Sequence, residues 1–127
     1  MAGVTHILVA SDLTDRSRYP LMRAVELQRE NAARLTVLHV ISPNSAQHRA
    51  SHRQAALVAL TAHLSEAAPD EPRRVAVEAL MGEPVRTIVG EAEARDVDLI
   101  VLGAPAQLEV DAKLGKRASS FAGFDGS

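Results

Sequence analysis

The chain has 127 residues, of which 46% are hydrophobic but only 2% aromatic, and its formal net charge is −2. This length suggests a single domain with an aliphatic core. The charge gives no basic field for nucleic acid, and few aromatic side chains are present to stack on single strands. Because the chain has no cysteine, disulfides, thiolate catalysis and Cys-ligated metal centres are excluded. It shows neither a signal peptide nor an apolar run of about 20 residues, so we expect a cytoplasmic protein without a membrane span.

Four apolar segments predict β-strands. The first two, His6 to Ser11 and Leu35 to Ile41, are rich in aliphatic residues, which is typical of buried parallel strands. The third, Arg74 to Met81, alternates between two faces and includes Glu78, which is typical of an edge strand. The fourth runs from Leu99 to Leu102.

A helical pattern follows each of the first three strands. The predicted helices span Ser17 to Ala33, with Ser17 as N-cap, and about Ala50 to Ala67, and the third begins at Gly82-Glu83-Pro84. The order β-α-β-α-β-α-β predicts an α/β fold with a doubly wound, open parallel sheet. We assign residues 1–103 to this domain and expect residues 104–127 to form an irregular loop or tail, which could contain a truncated phosphate-binding loop.

Asp12 directly follows the first strand, and Gly103 follows the fourth. Ligands of open α/β sheets bind beside such carboxyl ends, where the strand order reverses. A carboxylate at Asp12 could accept a hydrogen bond from adenine or ribose, or hold Mg²⁺ through water. Equally, it could cap the turn through Leu13 and Thr14. The sequence leaves both interpretations open.

Several catalytic signatures are absent. The dinucleotide fingerprint G-x-G-x-x-G does not follow the first strand, and Gly115-Lys116 is not followed by the Ser or Thr of a phosphate-binding P-loop. Ser11, Asp12 and His39 do not form a credible triad, because strand neighbours point to opposite faces and no nucleophile elbow is present. His39 is instead expected to be a hydrogen-bonded core residue.

One histidine pair has the spacing of metal ligands. His48 and His52 lie four residues apart on the second predicted helix. Arg49 and Arg53 beside them favour a solvated face, and no third ligand is evident. We therefore do not expect a metal at this pair.

Four of these segments together resemble the universal stress protein family, in the family's order and over about the first 103 residues. They are His6–Asp12, Leu38–Ile41, Gly82–Pro84 and Asp98–Gly103. The resemblance implies strand order 3-2-1-4 and a dimeric stress-response or signalling protein. Such proteins bind ATP or another adenine nucleotide across the carboxyl ends of strands one and four, usually without rapid turnover. No catalytic residue is implied.

The resemblance also implies binding residues. Adenine would lie near Ala10, Ser11 and the backbone of Val40, and Asp12 would face the ribose or a Mg²⁺ ion. Leu102 and Gly103 would line the ribose and phosphates.

The family's phosphate motif, G-2x-G-9x-G-[ST], matches only in part. Gly103 fits its first glycine, Ala106 replaces the second, and the only Gly-Ser pair is Gly126-Ser127. Either the loop carries an insertion and the chain ends at this pair, or the motif has decayed. Gly126 and Ser127 could begin a phosphate-binding nest or simply end a tail.

In both cases we expect the family's fifth strand and last helix to be missing. The fourth strand would then be an apolar edge, covered by a partner chain or by the segment around Leu108 to Val110.

Two other functions remain open from the sequence. The first is a nucleotide-free protein that acts through dimerisation or partner docking, which Ala106 favours. The second is an enzyme of a related nucleotide-binding superfamily such as a nucleotidyl transferase, which the absence of an H-x-G-H pair after the first strand disfavours.

Overall fold

The computed structural model describes residues 4–42, 49–68, 74–102 and 119–121. Within them, every strand and helix predicted above is present. The elements are β1 (His6–Ala10), a 3₁₀ turn (Asp15–Ser17), α1 (Arg18–Asn31), β2 (Arg34–Ile41), α2 (Arg49–Ala67), β3 (Val75–Met81), α3 (Pro84–Ala94), β4 (Leu99–Val101) and β5 (Ser119–Phe121).

The strands form one parallel sheet in the order β3-β2-β1-β4-β5. The predicted order 3-2-1-4 is confirmed, with β3 at one edge. The expectation that the fifth strand is missing was wrong, because Leu99 pairs with Ser119 and Val101 with Phe121. β4 is therefore covered by β5 rather than exposed as an edge. The other proposed cover, Leu108 to Val110, lies outside the described residues.

The helices divide between the two faces of the sheet, as right-handed crossovers require. Alternate strand residues face opposite sides, so each face has its own apolar cluster. Helices α1 and α2 cover Ile7, Val9, Leu35, Val37 and Val101 with side chains that include Leu21, Ala24, Leu60 and Leu64. Helix α3 covers Leu8, Leu38, Ile100 and Leu102 with Val85, Ile88 and Ala92.

The start of α3 is determined by local chemistry. Glu83 is its N-cap, and its carboxylate accepts hydrogen bonds from the N–H groups of Arg86 (2.7 Å) and Val85 (3.3 Å). Pro84 occupies the first helical position, where its missing N–H costs little. Gly82 precedes the cap at φ +155°, and a Cβ there would collide with Thr87 Oγ1. This turn therefore requires glycine.

At the end of the sheet where the strands begin, polar side chains join β1 to its neighbours. Asp98 Oδ2 accepts hydrogen bonds from the N–H of Thr5 (2.7 Å), the hydroxyl of Thr5 (2.6 Å) and the N–H of His6 (3.0 Å). The buried His6 ring lies between the Arg95 carbonyl and the Thr36 hydroxyl, at 3.3 and 2.9 Å. These contacts lie at the opposite edge from Asp12.

Candidate functional site

The carboxyl ends of β1 and β4 lie side by side. Ile7 pairs with Leu99 and Val9 with Val101, so Ala10 and Leu102 follow the last paired position on each strand. This confirms the predicted adjacency of the two strand ends as far as Leu102. The other predicted site residues, Gly103, Gly126 and Ser127, lie outside the described residues.

The loop after β1 is fixed by a relay of hydroxyl groups. The Leu13 N–H donates to the Ser11 hydroxyl (3.0 Å), which donates to the Ser17 hydroxyl (3.1 Å), which in turn donates to the Thr14 carbonyl (2.7 Å). Ser17 stands at the N-cap of α1 as predicted, but its side chain makes no capping bond and instead takes part in the relay. The buried Ser11 hydroxyl thus maintains the loop.

Asp12 is exposed and held in one orientation. Its Oδ1 accepts hydrogen bonds from the Thr14 N–H (2.9 Å) and the Thr14 hydroxyl (2.5 Å). Asp12 therefore caps the turn, as one of its two interpretations predicted. Within the described part of the chain, its other oxygen, Oδ2, has no hydrogen-bond partner. The capping interaction through Oδ1 therefore fixes the orientation of the carboxylate at the candidate site. It leaves Oδ2 available to accept a hydrogen bond from a ligand.

β1 and β2 stop pairing at this edge. The last backbone bond between them runs from the Ser11 N–H to the Leu38 carbonyl (2.8 Å). The next step of a parallel ladder would join the Val40 N–H to the Ser11 carbonyl. Among the described residues that bond is not formed, and the ring Nδ1 of His39 lies 2.8 Å from the Ser11 carbonyl instead. Since a carbonyl only accepts, Nδ1 carries the proton and donates.

The α3 side of this edge presents a small apolar surface. Ala10, Val40, Leu80 and Val89 are half-buried and pack on the cluster that contains the fully buried Leu102. The structure thus brings Ala10, Val40 and Leu102 to one face of the sheet. Ser11 lies on the other face, where its hydroxyl bonds to Ser17 at the start of α1. The sheet therefore separates the predicted site residues into two groups.

His39 is hydrogen-bonded, as predicted, but it is half-buried rather than in the core, and its partner was not foreseen. The role of the Ser17 hydroxyl in holding the loop was also missed, whereas the turn from Asp12 to Thr14 was one of the two alternatives predicted for Asp12. The signal for His39 was a polar side chain inside a β-branched strand. No signal in the sequence pointed to the Ser11 carbonyl as the partner of His39, because the two residues are 28 positions apart in the chain.

The described residues contain no group of three or more His, Cys, Asp or Glu side chains arranged to hold a metal ion. His52 is exposed, and His48 lies outside the described ranges. Across the described helices, none is both long enough and apolar enough to cross a membrane.

The sheet order and the position of Asp12 define the class of protein: an open parallel α/β domain whose candidate site lies where the strand order reverses. The model of the Universal stress protein family matches residues 3–118, so the chain belongs to that family. This match extends past residue 103, where the resemblance in the sequence faded.

Individual relatives agree with this assignment. Universal stress protein A homolog 1 of Coxiella burnetii is 28% identical over 128 residues, covering 91% of this chain and 86% of the relative. A universal stress protein solved in complex with cAMP has a TM-score of 0.72 at 18% identity and covers 97% of this chain and 98% of its own. The Archaeoglobus fulgidus universal stress protein in complex with dAMP has a TM-score of 0.69 at 17% identity, with coverages of 98% and 100%. These two structures share the fold.

Proposed function

We propose that this universal stress protein binds an adenine nucleotide at the carboxyl edge of β1, β2 and β4, and acts through binding rather than turnover. The observation that carries the proposal is the Val40 N–H, which no bond to Ser11 occupies, at the same edge as the fixed carboxylate of Asp12. The solved relatives with cAMP and dAMP support the choice of an adenine ligand.

The chemistry of the edge suits an adenosine. A planar base can lie on the apolar surface of Ala10, Val40 and Leu80, while the Val40 N–H donates to a ring nitrogen. Oδ2 of Asp12 can accept from a ribose hydroxyl or the adenine amino group. Hydrogen bonds to charged groups contribute about 1.5–3 kcal/mol each, so Asp12 would supply a large share of the affinity.

The phosphates must bind away from the start of α3. The carboxylate of Glu83 already accepts hydrogen bonds from the N–H groups of Val85 and Arg86 in the first turn of that helix. Its negative charge also repels phosphate. We therefore propose that phosphate contacts come from the segment after β4, including Gly103 and the Gly126-Ser127 pair. A Mg²⁺ ion held by Asp12 through water and the homodimer implied by the family both remain predictions.

Binding without turnover agrees with how the hydroxyl groups at this edge are used. The Ser11 hydroxyl accepts from Leu13 and donates to Ser17, so both of its roles are occupied by the loop. The Thr14 hydroxyl donates to Asp12. These bonds hold both hydroxyls within the loop and stiffen the site.

The test uses Asp12→Asn, which retains an oxygen to accept from Thr14 but replaces the free carboxylate oxygen with an amide donor. Calorimetric titration with AMP, ADP and ATP should give an affinity about 10–100-fold lower than that of the parent. The matched control is Asp15→Asn, an exposed aspartate on the same loop, which should bind like the parent.

Two results would count against the proposal. Equal affinity of Asp12→Asn and parent would leave Asp12 with only its turn-capping role. A parent that binds no nucleotide, and yields none after acid extraction, would favour the nucleotide-free interaction protein.

A further inference from the structure

We infer that His39 is a positioning residue that keeps the Val40 N–H available for the base, and this inference rests on the proposed function. The key contact is the hydrogen bond from His39 Nδ1 to the Ser11 carbonyl, 2.8 Å long. It binds the carbonyl to which the parallel ladder would otherwise join the Val40 N–H. The side chain of His39 thereby leaves the backbone N–H of the next residue, Val40, available to a ligand.

The register of the two strands supports this role. Ala10 pairs with Leu38, and the Ser11 N–H still reaches the Leu38 carbonyl. The Ser11 carbonyl is thus the next acceptor in line, and the Val40 N–H is the next backbone donor on the facing strand. Pairing continues normally up to this step and ends where the imidazole intervenes. His39 therefore determines where β1 and β2 separate.

The role is one of position and not of contact with the ligand. His39 follows Leu38 on the strand, and its ring bonds to Ser11 on the face of the sheet that α1 and α2 cover. Val40 packs with the α3 cluster on the other face. The ligand therefore need not touch His39.

Two substitutions separate the donor from the rest of the side chain. His39→Leu removes the donor but keeps an apolar side chain that a half-buried strand position tolerates. His39→Asn is the matched rescue, because its amide nitrogen is attached to Cγ just as Nδ1 is in histidine. A purely structural role would not distinguish the two variants in this order.

The first measurement is amide hydrogen exchange by NMR without nucleotide. In the parent and in His39→Asn, the Val40 amide should exchange faster than that of Leu38, its neighbour on the same side of the strand. In His39→Leu, the Val40 N–H closes on the Ser11 carbonyl, and its protection should rise about tenfold. Unchanged protection of Val40 in His39→Leu would overturn the inference.

The second measurement is the affinity for AMP. His39→Leu should bind about tenfold more weakly than the parent, and His39→Asn should bind within about twofold of it. Full affinity in His39→Leu, or a loss in His39→Asn equal to that in His39→Leu, would overturn the positioning role. A parent that binds no AMP would refute the proposed function, while the exchange experiment would still decide whether His39 holds the strands apart.

Discussion

One oxygen of the Asp98 carboxylate accepts both the backbone N–H and the side-chain hydroxyl of Thr5, at 2.7 and 2.6 Å. The same oxygen also accepts from the His6 N–H. A single side chain before β4 thus fixes the start of β1. The two strands whose carboxyl ends form the candidate site are therefore tied together at their amino ends.

Replacing Asp98 with alanine should destabilise the fold by about 1–2 kcal/mol. The loss is smaller than for a buried charged acceptor, because the Asp98 side chain is exposed to solvent. Asp98→Asn, which retains one acceptor oxygen, should recover part of this loss. Chemical denaturation of both variants measures the difference in the free energy of unfolding. Parent-like stability of Asp98→Ala would mean that solvent replaces these bonds fully.

The hydrogen bonds from Thr5 also lower the pKa of Asp98 below its ordinary value of 3.8. In acid, the unfolded chain therefore takes up this proton before the folded chain does. The stability that Asp98 contributes is complete above the ordinary value and is lost as pH falls through the lower folded value. Acid denaturation of Asp98→Ala should accordingly have a shallower pH dependence than that of the parent.

His6 should make stability depend on pH in a higher range. Burial lowers its pKa below the ordinary value of 6.5, so its neutral ring contributes stability that is complete above that value and decreases as pH falls through the lower folded value. The melting temperature of the parent should decrease from about pH 7 to about pH 5, and His6→Gln should flatten this dependence. The control is His52→Gln, at an exposed helix position, which should leave the pH dependence of the melting temperature unchanged. The same pH dependence in the parent and in both variants would contradict the assignment to His6.

The two described glycines at positions 82 and 90 should respond oppositely to alanine. Gly82→Ala should cost about 1–3 kcal/mol, because φ is +155° and the new Cβ would collide with Thr87 Oγ1. Gly90→Ala meets nothing within 4 Å in the middle of α3 and should stabilise by about 0.4–1 kcal/mol. Thermal unfolding of both variants makes the comparison, and a neutral Gly82→Ala would show that the turn relaxes.

The hydroxyl relay behind Asp12 should behave as one unit. Ser17→Ala leaves the buried Ser11 hydroxyl without its acceptor and should cost about 1–3 kcal/mol. Ser65→Ala, on the exposed face of α2, should change stability by less than about 0.5 kcal/mol. In a double-mutant cycle with Ser11→Ala, the combined loss should be smaller than the sum of the single losses. Additive losses would mean that the two hydroxyls act independently.

Local signals were enough to predict much of this fold from the sequence. Pro84 after an acidic residue marked the start of α3, and the two-residue alternation of β3 separated Val77 from Glu78 onto opposite faces. The sheet order followed from the family resemblance and agrees with the right-handedness of the crossovers. These features depend on neighbouring residues or on general chain geometry, so a single sequence contains them.

The parts that were missed depend on distant contacts. Ser119–Phe121 has no long apolar run, and it becomes a strand because it pairs with β4. The bond between His39 and Ser11 joins residues 28 positions apart, and its effect on Val40 depends on where two strands diverge. The sequence could not decide between the two roles of Asp12, because both are compatible with the structure. One oxygen caps the turn, and the other is available to a ligand.

An adenine nucleotide that binds beside Val40 and Asp12 should perturb the backbone amides around these residues. An NMR titration of the nitrogen-15-labelled parent with AMP tests it most directly. We expect saturable shifts of the Val40 and Leu13 amides, with the Thr5 and Asp98 amides at the amino ends of the strands unchanged. Shifts confined to other parts of the sheet, or no saturable shift at all, would contradict it.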